Sequence, residues 1–201
     1  MGLVLWVAIY VKLILDIFAY VDDNFGWEEE GKLTFYEGYK KLMPTKQVML
    51  LRLWDELGLP HGEDKQLWAA ILVIIGFLVD VNAMTVTLPM DAKADLINAV
   101  EDFINTPSRK RPLHDWQQLS GWITWSLNVF PLLRPALCHI YVKISDKSNS
   151  FATVYLNVKE DLMWFLDHVR NSSGIFMFHA IDWNPRTAAD FTLWCDACPL
   201  G

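Results

Sequence analysis

The sequence is short of several things, and each shortage narrows what the chain is. Cysteine occurs only at Cys138, Cys195 and Cys198. That is too few for the disulfide framework of a small secreted domain, so an intracellular location, nucleus or cytoplasm, is expected and secretion is not. Basic charge is not in excess: the formal net charge is −7, which argues against a general nucleic-acid coat protein. No apolar run is long enough to span a bilayer, which takes about 20 residues. The nearest, Leu3 to Leu15, is interrupted by Lys12 and followed by Asp16, and no small-residue cleavage site comes after it. No membrane association is expected, and its Val, Ile, Trp and Tyr content favours a buried strand. Trp6 stands where a myristoylation signal after Met1-Gly2 wants Ser or Thr. Internal repeats and low-complexity linkers are absent as well. His61, His114, His139, His168 and His179 lack metal-ligand spacing and read as surface or satisfied core residues.

What remains is a chain able to fold. It has 201 residues, 53% hydrophobic and 20% charged, a composition that excludes disorder and suits one large domain or two small ones. Ten tryptophans supply much apolar area, but each indole N–H wants a partner, and some rings are expected to face outward as a contact surface. Charge is unevenly spread. Residues 1–64 carry 6 basic and 11 acidic side chains, residues 65–150 carry 8 and 7, and residues 151–201 carry 3 and 6. Only the middle segment is not net acidic. It holds Arg109-Lys110-Arg111, either a phosphate contact or a solvated loop.

Pattern along the chain predicts an α+β fold, with hairpins first, helices next and strands last. Residues 13–21 read as a strand, Asp22-Asp23-Asn24 as a turn and Phe25-Gly26-Trp27 as the returning strand. Helix is expected over 46–57, with Val48, Leu51, Trp54 and Leu57 on one side and Gly58 as its stop. Residues 70–79 read as a second apolar strand, which Asn82-Ala83 turns into Thr85–Leu88. Helices follow over 91–104 and 113–129. Another opens at Asn157 and Glu160, which resemble a capping box, and Gly174 ends it. Residues 175–181 and 190–195 read as strands.

Tyr20-Val21-Asp22-Asp23 carries the chemistry. Adjacent carboxylates in a regular strand point to opposite faces, but at a hairpin turn both can converge on one spot. Paired carboxylates on a dry hairpin suit Mg²⁺ or Mn²⁺, hard ions that prefer oxygen ligands. Two such ions about 3.5–4 Å apart support phosphoryl transfer. The plainer alternative is a polar turn.

These four residues resemble the Tyr-x-Asp-Asp motif of a reverse-transcriptase palm. Further matches follow in that family's order. Lys65 lies where the family has a palm lysine. Ile75-Gly76-Phe77-Leu78-Val79-Asp80 with Asn82-Ala83-Met84-Thr85 resembles the hairpin that grips the primer end. Leu113 to Pro135 resembles the thumb of the fungal DIRS-type, tyrosine-recombinase retrotransposons, through Gly121-Trp122 and the Asn-x-Phe-Pro-x-Leu-x-Pro series from Asn128 to Pro135. Cys195-Asp196-Ala197-Cys198 falls where those polyproteins begin RNase H.

The resemblance implies the C-terminal part of a palm over 1–89, a helical thumb-like region over 90–156, and a connection with the first strand of RNase H over 157–201. It implies RNA-directed DNA polymerisation with Mg²⁺ or Mn²⁺, a template-primer duplex and deoxynucleotide triphosphates as partners. Asp22 and Asp23 would hold metal, Lys65 would act as general acid, and Asp196 would be the first RNase H ligand. Tyr20, Gly76, Phe77, Arg109, Lys110 and Arg111 would contact nucleic acid.

The chain departs from the family in one respect above all. A third palm aspartate is needed upstream, and Asp16 is the sole carboxylate before Tyr20. It lies six residues before Asp22, about 20 Å along an extended strand, too far to share the site. The fingers and most of RNase H are also missing. The resemblance therefore implies a fragment inactive alone, whose partners include the missing segments of its own polyprotein. Other chemistries are weaker. Cys195-x-x-Cys198 lacks the helix a thioredoxin site needs. Zinc at Cys195, Cys198 and His179 lacks a second close ligand pair. The rival reading is a non-catalytic module binding nucleic acid or protein through residues 91–143.

Overall fold

A computed structural model describes residues 2–108, 110–145 and 151–177. The expected α+β class holds. The chain opens with helix α1 (Gly2–Tyr10), then hairpin β1 (Ile17–Tyr20) and β2 (Asp23–Gly26), hairpin β3 (Leu33–Tyr36) and β4 (Lys41–Pro44), and helix α2 (Thr45–Leu57). A meander of β5 (Ile71–Ile74), β6 (Phe77–Asp80) and β7 (Thr85–Thr87) leads into α3 (Met90–Ile104). Then come β8 (Lys110–Pro112), α4 (Leu113–Ser126), α5 (Cys138–Ser145), β9 (Phe151–Thr153), α6 (Leu156–Asn171) and β10 (Ile175–Phe176). All paired strands are antiparallel. The largest sheet runs β10-β7-β6-β5.

The first apolar segment is helix, not the expected strand. Val4, Val7 and Ala8 are spaced at helical intervals and pack with Leu50 and Leu53 of α2, so burial of one helical face overrides strand propensity. The strand that follows begins only at Ile17, because Leu13 and Asp16 take left-handed φ angles of 54° and 62°. Residues 70–79 also depart from expectation: they form two strands, not one. Ile75 and Gly76, at φ 51° and 79°, make a two-residue turn with the backbone signs of type I′. At α6 the predicted capping box is missing. Tyr155 occupies the N-cap without a side-chain bond, and Asn157 instead accepts from the Val158 N–H at 2.9 Å. Helix α2 ends as expected on Gly58 at φ 66°, where glycine meets no steric cost. Of the strands expected over 175–181 and 190–195, only Ile175–Phe176 falls among the described residues.

Two cores form. The larger gathers Leu96, Val100 and Phe103 of α3, Trp116 and Ile123 of α4, Ile140 of α5 and Val158, Leu162 and Phe165 of α6. Phe77, Val86 and Leu88 join it from the meander. The smaller surrounds α2, with Tyr36, Met43, Val48 and Leu51 on one side and the α1 residues on the other. Two indole N–H groups, of Trp54 and Trp116, are buried without a partner among the described residues, and an unmade bond of this kind costs about 1–3 kcal/mol. Among the described residues no helix is long and apolar enough to cross a membrane.

Phe165 is fully buried in the larger core. Phe165→Ala is expected to cost about 3–5 kcal/mol, read as a lower midpoint in urea denaturation. Gly76→Ala should cost about 1–2 kcal/mol, because alanine resists the left-handed turn and its Cβ would come 3.0 Å from Trp125 Cζ2.

Candidate metal-binding hairpin and nucleic-acid contacts

The Tyr20-Val21-Asp22-Asp23 segment forms the tip of the β1–β2 hairpin. Tyr20 pairs directly with Asp23, leaving Val21-Asp22 as the two-residue loop. The turn is one residue earlier than the expected Asp22-Asp23-Asn24, since Asp23 and Asn24 belong to the returning strand. Val21 has φ 56°, a conformation that costs a β-branched residue about 1–3 kcal/mol and that tends to persist at functional turns. Asp22 and Asp23 are both exposed, and neither carboxylate has an ion pair or hydrogen bond among the described residues. The Asn24 side chain donates to the Asp22 carbonyl at 3.2 Å and braces the turn. Tyr20 and Phe18 are exposed on one face of β1, and Phe18 stacks across the strands on Phe25 at 5.8 Å.

Asp16, the one upstream carboxylate, is held elsewhere. Lys46 Nζ pairs with it at 3.0 Å, donates to the Trp27 carbonyl at 3.2 Å and sits 4.1 Å from the Trp27 ring centroid. That cation pins the base of the hairpin to the start of α2. Among the described residues no group of three or more His, Cys, Asp or Glu side chains could hold a metal ion. The hairpin thus offers two carboxylates, which suit Mg²⁺ or Mn²⁺ in kind, with no third acidic, His or Cys ligand beside them among the described residues.

The other predicted residues occupy separate places. Lys65 closes a short 3-10 turn (Glu63–Lys65), is exposed and makes no ion pair among the described residues. Gly76 lies in the turn of the β5–β6 hairpin and Phe77 opens β6 beside it; the hairpin leans on α4. The Phe77 ring stacks on Trp125 at 4.9 Å with 22° between the planes. Lys110 is exposed on β8. Arg111, by contrast, is occupied within the fold. Its Nη2 donates to the Asp102 carbonyl at 2.7 Å and to Asp102 Oδ2 at 2.6 Å, and its Nε donates to the Thr106 hydroxyl. It therefore ties the end of α3 to β8. Arg109 and Asp196 lie outside the described residues, as do Cys195, Cys198 and His179. The two hairpins do not converge: β1–β2 rests against α1, whereas β5–β6 packs on β7 and, through Phe77, on α4.

A polar cluster at His61 gave no sequence signal beyond a histidine shortly after a helix stop. Asp55 near the end of α2 accepts from Tyr36 Oη at 2.7 Å and from His61 Nε2 at 3.0 Å. The other ring nitrogen, Nδ1, is hydrogen-bonded to the Tyr39 hydroxyl. The Tyr36 hydrogen bond first, and that of His61 second, hold the Asp55 carboxyl below its usual range. Burial, then the bond to Asp55, pushes the Tyr36 phenol far above its own. The cluster stitches the turn after β3 and the segment after Gly58 to α2.

No family model, curated protein or solved structure matches the chain.

Two predictions follow from these bonds. Arg111→Ala should destabilise the fold by about 1–3 kcal/mol through lost charged hydrogen bonds, whereas Lys110→Ala should leave the thermal midpoint unchanged. Asp55 has a lowered pKa when folded, so the unfolded chain binds its proton more readily. The stability it contributes is present above the unfolded carboxylate value and lost as pH falls through the folded one. Urea midpoints measured across acidic pH should fall more steeply for the wild type than for Asp55→Asn.

Proposed function

We propose that this chain is part of an RNA-directed DNA polymerase of the retrotransposon type, inactive alone, in which Asp22 and Asp23 are metal-binding carboxylates. The observation that carries the proposal is the placement of Tyr20-Val21-Asp22-Asp23. Its two carboxylates, unpaired among the described residues, stand at a two-residue hairpin tip whose Val21 is held in a strained left-handed turn. Strain of this kind tends to survive where a turn must aim a functional group. Bound there, Mg²⁺ or Mn²⁺ would stabilise the charge that develops on the oxygens of nucleotidyl transfer. This chain's own residues would supply two carboxylates, and Lys65 a proton for the leaving group. Gly76 and Phe77 would support a primer end, and Lys110 would add a phosphate contact. The exposed Phe18 and Tyr20 give bases a stacking face.

A second reading, a non-catalytic module that binds nucleic acid or protein, is favoured by one observation: among the described residues no third His, Cys, Asp or Glu side chain joins Asp22 and Asp23 in a metal-binding group. Manganese separates the two. Electron paramagnetic resonance of free Mn²⁺ should show weak binding to the wild-type chain that disappears in the Asp22→Asn, Asp23→Asn double variant. The chain alone should extend no primer. If the double variant binds Mn²⁺ as the wild type does, the polymerase-derived site is wrong and the binding-module reading stands.

A further inference from the structure

Between α3 and α4 lies an open slot of about 360 Å³ lined by Ala92, Asp95, Leu96, Trp122 and Trp125. The size is at the low end for small-molecule sites, which begin near about 300 Å³. Trp122 and Trp125 are three residues apart on α4 and so share a face. Trp125 is fixed from the other hairpin by the stacked Phe77 ring, with Gly76 at its edge. Trp122 is 43% exposed and pairs with no other ring among the described residues. Ala92 and Leu96 give the slot an apolar lining, and among the described residues that line it the only charge is Asp95.

Among the described residues Asp95 makes no ion pair. The nearest cation in sequence, Lys93, is spent on the Arg170 and Ser172 carbonyls at 3.4 and 2.9 Å. Two indoles and a free carboxylate on an apolar lining select against anions. A neutral apolar guest would use the rings and leave the carboxylate idle. An organic cation uses both, through cation–π attraction and direct charge pairing.

We infer that the slot between α3 and α4 binds an alkylammonium group. Such a group is borne both by a lysine side chain of a partner protein and by free amines. None of the hairpin carboxylates takes part, so the slot and the metal site succeed or fail independently.

The test uses the full chain labelled with 5-fluorotryptophan, with the fluorine resonances of Trp122 and Trp125 assigned by Trp122→Phe and Trp125→Phe. Tetramethylammonium and n-butylammonium should each give saturable shifts of those two lines, and tert-butanol, a neutral guest of similar shape, should give none. Asp95→Asn, an exposed substitution checked for folding by circular dichroism, should weaken binding about fivefold or more. A peptide with one free lysine that binds more tightly than n-butylammonium, and is silenced by ε-acetylation, identifies a protein partner. Equal affinity identifies free amines. Equal shifts with tert-butanol, or unchanged affinity in the folded Asp95→Asn protein, would overturn the inference.

Discussion

The feature on which most of the structure depends is the common core of α3, α4 and α6, in which Trp116, Ile123 and Phe165 are buried. These three side chains are fully buried, and Trp116 meets Phe103 edge-on at 4.9 Å. Around them the described elements from β5 onward gather. The meander docks through Phe77 and Val86. Helix α6 returns its chain to the sheet, where Ile175 and Phe176 pair with β7. Gly174 permits that return. At φ 92° it passes so close to the Val86 carbonyl that an added Cβ would lie 2.5 Å away. The core tolerates a cost in exchange, since the Trp116 indole N–H finds no partner among the described residues. The apolar area of a buried tryptophan outweighs one unmade hydrogen bond.

A second constraint acts at the turns. Each of the four tight antiparallel connections contains a non-glycine residue at positive φ: Val21, Lys40, Ile75 and Met84. Two are β-branched, the residue type least suited to that region. None of these turns carries the Asn-Gly or Asp-Gly pair that announces a hairpin. The flanking strands must therefore impose the turn. At Ile75 the compensation is visible, because the next residue is glycine and the strand beyond packs on Trp125. At Met84 it comes from the Asp80 carboxylate, which accepts from the Asn82 and Ala83 N–H groups at 2.9 Å each. Val21 has fewer visible supports. Its hairpin has a half-exposed stacked pair and a lysine at the base, but no large core beneath it. Strain with little structural return is what makes that turn the natural place to look for function.

The surface of the smaller unit bears on the same question. Trp6, Phe18, Tyr20, Trp27, Phe35 and Leu42 are each about half exposed. The expectation that some tryptophans face outward is met here by Trp6 and Trp27. Lys46 sits over the Trp27 ring, so part of that surface is shielded by a cation rather than by apolar packing.

Periodicity alone located helices α2, α3, α4 and α6, because each buries one face against a core and so spaces its apolar residues at helical intervals. Gly58 as a helix stop was equally legible, since only its conformational freedom is involved. The paired carboxylates and their place beside a turn could be read directly, because adjacency is a property of sequence. What the sequence did not decide were matters of partnership. Residues 2–10 are β-prone by composition and became helix because Leu50 and Leu53 lay ready to cover Val4, Val7 and Ala8. Residues 70–79 read as one apolar strand, and became two once Trp125 offered a ring for Phe77 to stack on. Arg111 looked the same as Lys110 within a basic run, yet Asp102, nine positions away, claimed one and not the other. Local chemistry set what each residue can do, and the folded neighbours, distant in sequence, decided which of those capacities were used.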